Sequence, residues 1–212
     1  YCFKSTNLPG NKSYYYTTPS SSNAALTEAL PAGNTTAGTN MISTQSIIYS
    51  IPATPTKTSC NISTQGGLVS IGMTVNGLAV FNNAAAPPDV LADEATTFDN
   101  FQGHPQNSGV YHHHAAVPKV CDGAANTSNA GACANYTLIG IALDGYAIYG
   151  QKCNSGGADF TPTDLDSLHG HTGVTTHFST ATYHYHYKYD PTATIYTLMG
   201  SYFYGNSGAA SN

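Results

Sequence analysis

Two stretches decide how this chain is interpreted, Tyr111-His112-His113-His114 and Tyr183-His184-Tyr185-His186, which hold five of its nine histidines. Side chains on a β-strand alternate between its two faces. In each stretch, the histidine after the first tyrosine and the histidine two residues later should therefore share a face, while His113 is predicted to lie at the surface. Two such strands side by side would bring four imidazoles within reach of one ion. The motif predicts strands that carry a metal site.

The surroundings of the two stretches also repeat. Residues 71–81 match residues 139–149 position by position, and residues 98–104 match residues 165–171. Three matched blocks in the same order, about seventy residues apart, predict an internal duplication. Chance similarity between short apolar runs is the alternative.

A two-copy repeat of this length fits one pseudo-symmetric domain better than an open solenoid. We expect this domain at residues 67–212, with halves at about 67–135 and 136–204, after a Ser/Thr-rich segment at residues 1–66 that holds one or two strands. Asn-Gly and Asp-Gly dipeptides between apolar runs predict a hairpin in each half. The expected fold is mostly β: a pseudo-two-fold, β-sandwich-like domain with long loops and an extended N-terminal segment.

The composition excludes some functions. The 212 residues include no arginine and only six lysines, and the formal net charge is −5, so nucleic-acid binding is disfavoured. No run of about eighteen apolar residues occurs that could span a membrane. The chain begins at Tyr1, and we expect a mature exported chain whose targeting segment has been removed.

Further residues in the repeat can join a metal site. His104 and His171 each follow a glycine. Asp144 is another candidate, either as a ligand or as a group that hydrogen-bonds a ligand, and the alternative is a plain turn residue. Asp99 and Asp166 can orient a ligand imidazole by accepting its second N–H, although a loop or helix cap is the alternative. A nitrogen-rich set without thiolates fits copper or zinc, with copper preferred. The alternative for all the histidines is a purely hydrogen-bonding role.

The five cysteines show no CxxC spacing. Cys121 and Cys133 bracket a loop without apolar residues large enough to anchor it, and we predict a disulfide between them or, failing that, between Cys121 and Cys153. We predict a second disulfide between Cys2 and Cys60. Such bonds would indicate an oxidising compartment.

Five sequons indicate a glycosylated exterior, although several are expected by chance in a chain so rich in Asn, Ser and Thr. They begin at Asn11, Asn34, Asn61, Asn126 and Asn135.

The combination of motifs resembles the YHYH-domain family, secreted or envelope-associated proteins found mainly in bacteria. The resemblance covers residues 67–204 and depends on the two histidine stretches, on residues 141–150 and on the Leu-Asp and Gly-His-Thr blocks near residues 165–172. It implies a domain and a metal site rather than a defined reaction.

We therefore expect a metal-binding structural or binding protein of the cell exterior. Residues 1–45 lack the apolar periodicity for a core of their own, so they either lie against their own domain or donate a strand to a neighbouring subunit of a filament. The rival is a copper- or zinc-dependent extracellular oxidoreductase or hydrolase, whose catalytic residues the sequence does not identify. An ion that faces a pocket would favour the enzyme, and a closed ion would favour the structural role.

Overall fold

The computed structural model describes residues 1–16, 26–30, 38–65, 69–115, 138–157, 164–190, 192 and 194–211. In these ranges, short strands are joined by long loops, and the prediction of a mostly β fold is confirmed. The strands are β1 (Cys2–Ser5), β2 (Ile47–Ser50), β3 (Lys57–Ser63), β4 (Gly72–Thr74), β5 (Ala79–Val80), β6 (His104–Pro105), β7 (Tyr111–His113), β8 (Leu138–Ala142), β9 (Ala147–Tyr149), β10 (Gly170–Gly173), β11 (Thr182–His186), β12 (Lys188–Asp190), β13 (Ile195–Thr197), β14 (Tyr202–Gly205) and β15 (Ala209–Ser211). Helix α1 spans Leu91–Glu94 and a 3-10 turn spans Ala95–Thr97. Within the described ranges, no helix is long and apolar enough to cross a membrane.

The largest sheet has eight strands in the order β10-β11-β9-β8-β4-β5-β7-β6. Each half contains an antiparallel hairpin, β4–β5 or β8–β9, whose second strand pairs in parallel with a histidine strand, β7 or β11. A Gly-His strand, β6 or β10, then pairs antiparallel at each edge. The halves meet at the antiparallel pair β4–β8. This order is compatible with the expected duplication, which stays a prediction.

Both hairpins turn at the dipeptides that the sequence indicated, Asn76-Gly77 and Asp144-Gly145. Gly77 has a φ of 84° and Gly145 a φ of 88°, in the left-handed region that glycine adopts without a steric penalty. Each glycine N–H donates to the carbonyl three residues earlier over 2.9 Å. The turns therefore set the register that places the histidine strands beside the hairpins.

The main core joins the large sheet to the smaller ones. Ile148 of β9 and Tyr185 of β11 are fully buried in one cluster with Ile47 and Tyr49 of β2 and with Phe203 of β14. Burying a side chain of this size contributes roughly 1.5–3 kcal/mol. The sheet that carries the histidines is thus fixed by packing against strands from both ends of the chain.

The described part of the N-terminal segment lies against its own domain. β1 pairs with β2, and β15 pairs with the other edge of β2. Asn7 is buried; its amide donates to the Tyr111 carbonyl over 2.7 Å, and its oxygen accepts the Ala79 N–H over 2.8 Å. These contacts fit the intramolecular alternative for these residues, while self-association stays a prediction.

Candidate metal centres

Three imidazoles converge at one edge of the large sheet. His104 on β6 lies opposite His112 on β7, and His114 follows two residues later. The Nε2 atoms of His104 and His112 are 3.1 Å apart, and those of His112 and His114 are 3.0 Å apart. Two nitrogen ligands at 2.0–2.1 Å from one ion lie roughly 2.9 Å apart at a right angle and roughly 3.4 Å apart at a tetrahedral angle. The spacing of these rings therefore suits a shared ion.

In two of these rings, a hydrogen bond to a backbone carbonyl determines which nitrogen faces the other imidazoles. His112 Nδ1 donates to the Val110 carbonyl over 3.0 Å, and His114 Nδ1 donates to the Asn82 carbonyl over 2.5 Å. A carbonyl oxygen can only accept, so each Nδ1 carries a hydrogen. Each neutral ring therefore presents the lone pair of Nε2.

The third ring follows the same rule through a hydroxyl. Thr97 donates its one hydroxyl proton to the Glu94 carbonyl over 2.7 Å, so it must accept from His104 Nδ1, which lies 2.7 Å away. All three Nε2 lone pairs thus face one another. Such an arrangement is repulsive unless a cation or a proton lies between them.

A carboxylate completes this group, which we name the Glu94 cluster (Glu94, His104, His112 and His114). Glu94 Oε1 lies 3.4 Å from His104 Nε2, and Oε2 lies 3.6 Å from His114 Nε2. Oε2 is buried and has no hydrogen-bond partner among the described residues. Burial first, and the charge of Asp89 second, raise the pKa of Glu94 to about 7. A cation would supply the missing partner.

A second group lies toward the opposite edge of the sheet; we name it the Cys153 cluster (Cys153, His171, His184 and His186). The β10–β11 register places His171 opposite His184. Cys153 Sγ lies 3.3 Å from Nε2 of His171, 3.3 Å from that of His184 and 3.8 Å from that of His186. Sulfur and nitrogen ligands of a tetrahedral zinc ion lie about 3.6 Å apart. The spacing again suits one ion.

Two rings of the Cys153 cluster are oriented in the same way as those of the first. His184 Nδ1 donates to the Thr182 carbonyl over 2.9 Å, and His186 Nδ1 donates to the Gly150 carbonyl. Both rings therefore direct an Nε2 lone pair toward the Cys153 sulfur. Outer hydrogen bonds of this kind are what orients histidine ligands in metal sites.

Burial keeps these imidazoles neutral. Mainly through desolvation, the pKa is lowered to about 3 for His104 and His186 and to about 4 for His114 and His184. The pKa of His112 lies well below its ordinary value for the same reason. A histidine must be neutral to bind a metal, so the clusters are ready to do so at neutral pH.

The Glu94 cluster also borders a cavity of about 440 Å³. Glu94, His104 and His112 line it, and Asp89 and Asp93 contribute further acidic groups. A small molecule or water can therefore approach an ion bound in this cluster.

Residues 48–163, more than half of the chain, match a family model described as YHYH protein. The chain belongs to the YHYH family. The matched region contains all four donors of the Glu94 cluster together with Cys153, and the histidines of the Cys153 cluster follow it. No curated protein and no solved structure matches the chain significantly.

This YHYH chain does not form the predicted square of four motif histidines. The strands β7 and β11 are not neighbours, because β5, β4, β8 and β9 lie between them. Five strand spacings of about 4.8 Å separate them by roughly 24 Å along the sheet. Each histidine strand already uses both of its edges, one for a hairpin strand and one for a Gly-His strand. The side-by-side prediction is therefore wrong, and His104 and His171 complete two separate groups.

The two predicted orienting carboxylates instead hold loops and tyrosines. Asp99 Oδ1 accepts the Phe101 N–H over 2.8 Å, and both of its oxygens lie 2.9 Å from the Tyr111 hydroxyl. Asp166 likewise accepts from the Leu168 N–H over 2.8 Å and from the Tyr183 hydroxyl. These contacts fit the loop-cap alternative rather than hydrogen bonds to ligand imidazoles.

Asp144 is not one of the converging donors in the described structure. Its carboxylate accepts the Tyr185 hydroxyl over 2.6 Å and the Gly205 N–H over 2.9 Å. Tyr185 alternates with His184 and His186 on β11, so this carboxylate lies on the other face of the sheet. The prediction of Asp144 as a ligand is wrong for that reason.

The predicted Cys2–Cys60 disulfide is also absent, since the structure has both thiols free and exposed. β1 belongs to the sheet β1-β2-β15, whereas β3 pairs with β14, so the two cysteines lie in different sheets. Cys121 and Cys133 lie outside the described residues. Cys153, their alternative partner, belongs to the second cluster.

The two sequons within the described residues differ in exposure. Asn11 is only 4% exposed and its amide donates to the Lys12 carbonyl, so a glycan has no room there in the folded chain. Asn61 lies exposed on β3 and remains a candidate. Asn34, Asn126 and Asn135 lie outside the described residues.

The prediction that His113 lies at the surface is wrong. This residue is fully buried, and its Nδ1 lies 3.0 Å from the Gln102 carbonyl oxygen. The strand β7 is thus covered on both faces.

Sequence reasoning did not assign Glu94 and Cys153 as ligands. Cys153 follows Tyr149, the last residue of the matched block, by four positions. Parallel pairing of that block with the histidine strand would have placed Cys153 near His186. Glu94 had no comparable signal, because it lies on α1, outside the matched blocks.

Proposed function

We propose that this YHYH protein binds two transition-metal ions, one in the Glu94 cluster and one in the Cys153 cluster. The observation that carries the proposal is the convergence of neutral imidazoles, five of which already commit their Nδ1 atoms to outer acceptors. The rings have only lone pairs left to direct inward, and lone pairs are what a metal ion binds.

The purely hydrogen-bonding alternative explains these contacts less well. A protonated Glu94 or a Cys153 thiol has a single proton and can donate to only one of the three inward-facing nitrogens of its cluster. The other nitrogens stay unsatisfied, and an unsatisfied buried polar group costs about 1–3 kcal/mol. A proton shared between the rings is disfavoured, because burial lowers the pKa of the imidazoles in both clusters. One metal ion in each cluster would bind the inward-facing lone pairs of all its ligand atoms.

Copper or zinc fits these donors best. Imidazole nitrogen suits both metals, and copper(II) binds most tightly among the common divalent ions, which supports copper as the first candidate. Calcium and magnesium prefer sets of oxygen ligands. Apart from the Glu94 carboxylate, the clusters offer nitrogen and sulfur.

We further propose a binding or structural role at the cell exterior. Support comes from the family resemblance and from a polar composition with only 8% charged residues. Assembly into a filament is part of this proposal, since β1 and β15 lie at the edges of their sheet and could pair with another copy. Light scattering over a range of protein concentrations tests it: mass should rise with concentration, and a constant monomer mass would contradict it.

The second candidate is a metal-dependent extracellular enzyme, and the cavity beside the Glu94 cluster favours it. An ion that only the three imidazoles of this cluster hold, with Glu94 beside it as a base rather than a ligand, keeps a position for water or substrate. Azide added to the copper-loaded protein would perturb the copper spectrum if such a position exists. An unchanged spectrum would favour the structural role.

Metal analysis of purified native protein tests the main proposal. We expect two ions per chain, one ion in His112→Ala, one in His184→Ala and none in the double variant. His177→Ala is the control, because His177 is exposed and outside both clusters. Two retained ions in the double variant would contradict the assigned ligands.

A further inference from the structure

The two clusters differ in a single donor. Each contains three histidines, supplied by a Gly-His strand and a histidine strand in the same antiparallel register. The fourth group is a carboxylate from the end of α1 in one cluster and a thiol from the loop after β9 in the other. Any difference in metal preference must therefore come mainly from this donor and its surroundings.

The Cys153 thiol is held in place by its own backbone. The Cys153 carbonyl accepts the Thr176 N–H over 2.9 Å and the Thr176 hydroxyl over 3.3 Å. Its sulfur lies within 3.8 Å of three imidazole nitrogens. Cys2 and Cys60 are exposed and belong to neither cluster, so only Cys153 combines a thiol with histidines among the described residues.

The charges around the two clusters also differ. With neutral imidazoles, the Cys153 cluster carries one negative charge as a thiolate, which a monovalent ion would neutralise. The Glu94 cluster shares its cavity with two further carboxylates, Asp89 and Asp93. The charge of one carboxylate, Asp166, acts on His171 of the Cys153 cluster. More negative charge therefore faces an ion in the Glu94 cluster. A divalent ion gains more from that surplus than a monovalent one.

We propose that the clusters sort ions by softness: the Cys153 cluster takes copper(I), and the Glu94 cluster takes a divalent ion such as zinc. Thiolate is a soft ligand that selects copper(I), whereas a carboxylate with imidazoles suits divalent ions. The inference rests on the proposed metal binding, because it assigns different ions to the same two clusters. One chain would then hold two different metals at once.

Competition between the two ions tests the sorting. The metal-free full chain is equilibrated anaerobically with two equivalents each of copper(I) and zinc, against chelators that buffer both, so that either metal could fill both clusters. We expect one copper and one zinc per chain. Cys153→Ser should weaken copper(I) binding by more than about 100-fold, since even outer-shell changes cost 10–100-fold, and should leave zinc bound.

Glu94→Gln is the matched variant, because it removes the charge of the other donor at nearly constant shape. It should weaken zinc binding by roughly 10–100-fold and leave copper(I) bound. Equal copper(I) affinity in wild type and Cys153→Ser would overturn the sorting, as would one metal filling both clusters in the competition.

Alkylation of wild-type protein gives a second readout that needs no variant. One equivalent of copper(I) should protect Cys153 from iodoacetamide, whereas one equivalent of zinc should protect it far less. Cys2 and Cys60 are exposed internal controls that should react in both samples, as peptide mapping would show. Equal protection of Cys153 by both ions would count against sorting, whereas a chain that retains neither ion would refute the metal-binding proposal itself.

Discussion

Acid should destabilise the metal-free protein through its buried imidazoles. Burial lowers the pKa of His104 and His186 to about 3 and that of His114 and His184 to about 4, against about 6.5 in an unfolded chain. Between these values the unfolded chain binds protons that the folded chain does not. The free energy of unfolding therefore falls as the pH drops below about 6.5.

The magnitude follows from the same shifts. Burial also lowers the pKa of His112 and His113, so six imidazoles contribute. From about pH 7.5 to about pH 5.5, each of them removes about 1.4 kcal/mol, nearly independent of its exact folded pKa. The carboxyls of Asp99 and Glu94 act in the opposite direction, because burial raises their pKa to about 6 and about 7. They return roughly 2–3 kcal/mol, which leaves a net loss of about 5–6 kcal/mol. For a chain of this length, that corresponds to about 10–24 °C in Tm.

Thermal unfolding in the presence of a chelator measures this loss at the two pH values. Metal-loaded protein is the comparison. It should be more stable at both pH values but should lose more stability on acidification, because the ion also keeps Glu94 and Cys153 deprotonated, whereas burial raises the pKa of both groups in the metal-free fold. His177→Gln should behave as the wild type, since His177 is exposed. A metal-free Tm that is equal or higher at the lower pH would refute the conclusion that the imidazoles are buried and neutral.

Three more changes probe the surroundings of the clusters. Tyr111→Phe removes the hydroxyl that donates to the buried Asp99 carboxylate, and it should lower the free energy of unfolding in urea by about 1–3 kcal/mol. Tyr183→Phe removes the matching donor to Asp166, which is exposed, and should lower it by less than about 1 kcal/mol; equal losses would contradict the difference in burial. Gly103→Ala places a methyl group 2.5 Å from the Tyr111 ring, and it should lower the free energy of unfolding by about 1–3 kcal/mol. The strain should also displace the next residue, His104, and so reduce metal binding in the Glu94 cluster; unchanged metal content would contradict this displacement. Replacing Cys2 and Cys60 together by Ser should change stability by no more than about 0.5 kcal/mol, where a lost disulfide would cost about 2–4 kcal/mol.

Local features of the fold could be predicted from the sequence because they depend on neighbouring residues. Gly77 and Gly145 are the turn residues of two hairpins, and strand alternation places His112 and His114 on one face. The association of His104 with the first motif also follows from the repeat. Each of these patterns is contained within a few positions of the chain.

Strand partners could not be predicted in the same way. Alternation determines which face a side chain occupies, but the neighbour of β7 depends on the long-range pairing of β6 and β5. Glu94 and Cys153 were missed for a similar reason, because a short helix and a loop outside the matched blocks deliver them. Asp144 is a carboxylate within the repeat, which is why the sequence predicts it as a ligand, but its long-range hydrogen bond to Tyr185 gives it a structural role.

Anomalous diffraction from crystals of the metal-loaded protein tests the two-centre arrangement most directly. We expect two peaks, one within about 2.0–2.1 Å of the Nε2 atoms of the Glu94 cluster and one at a similar distance from those of the Cys153 cluster. A single peak shared by the histidines of β7 and β11, or peaks away from both clusters, would contradict two separate centres.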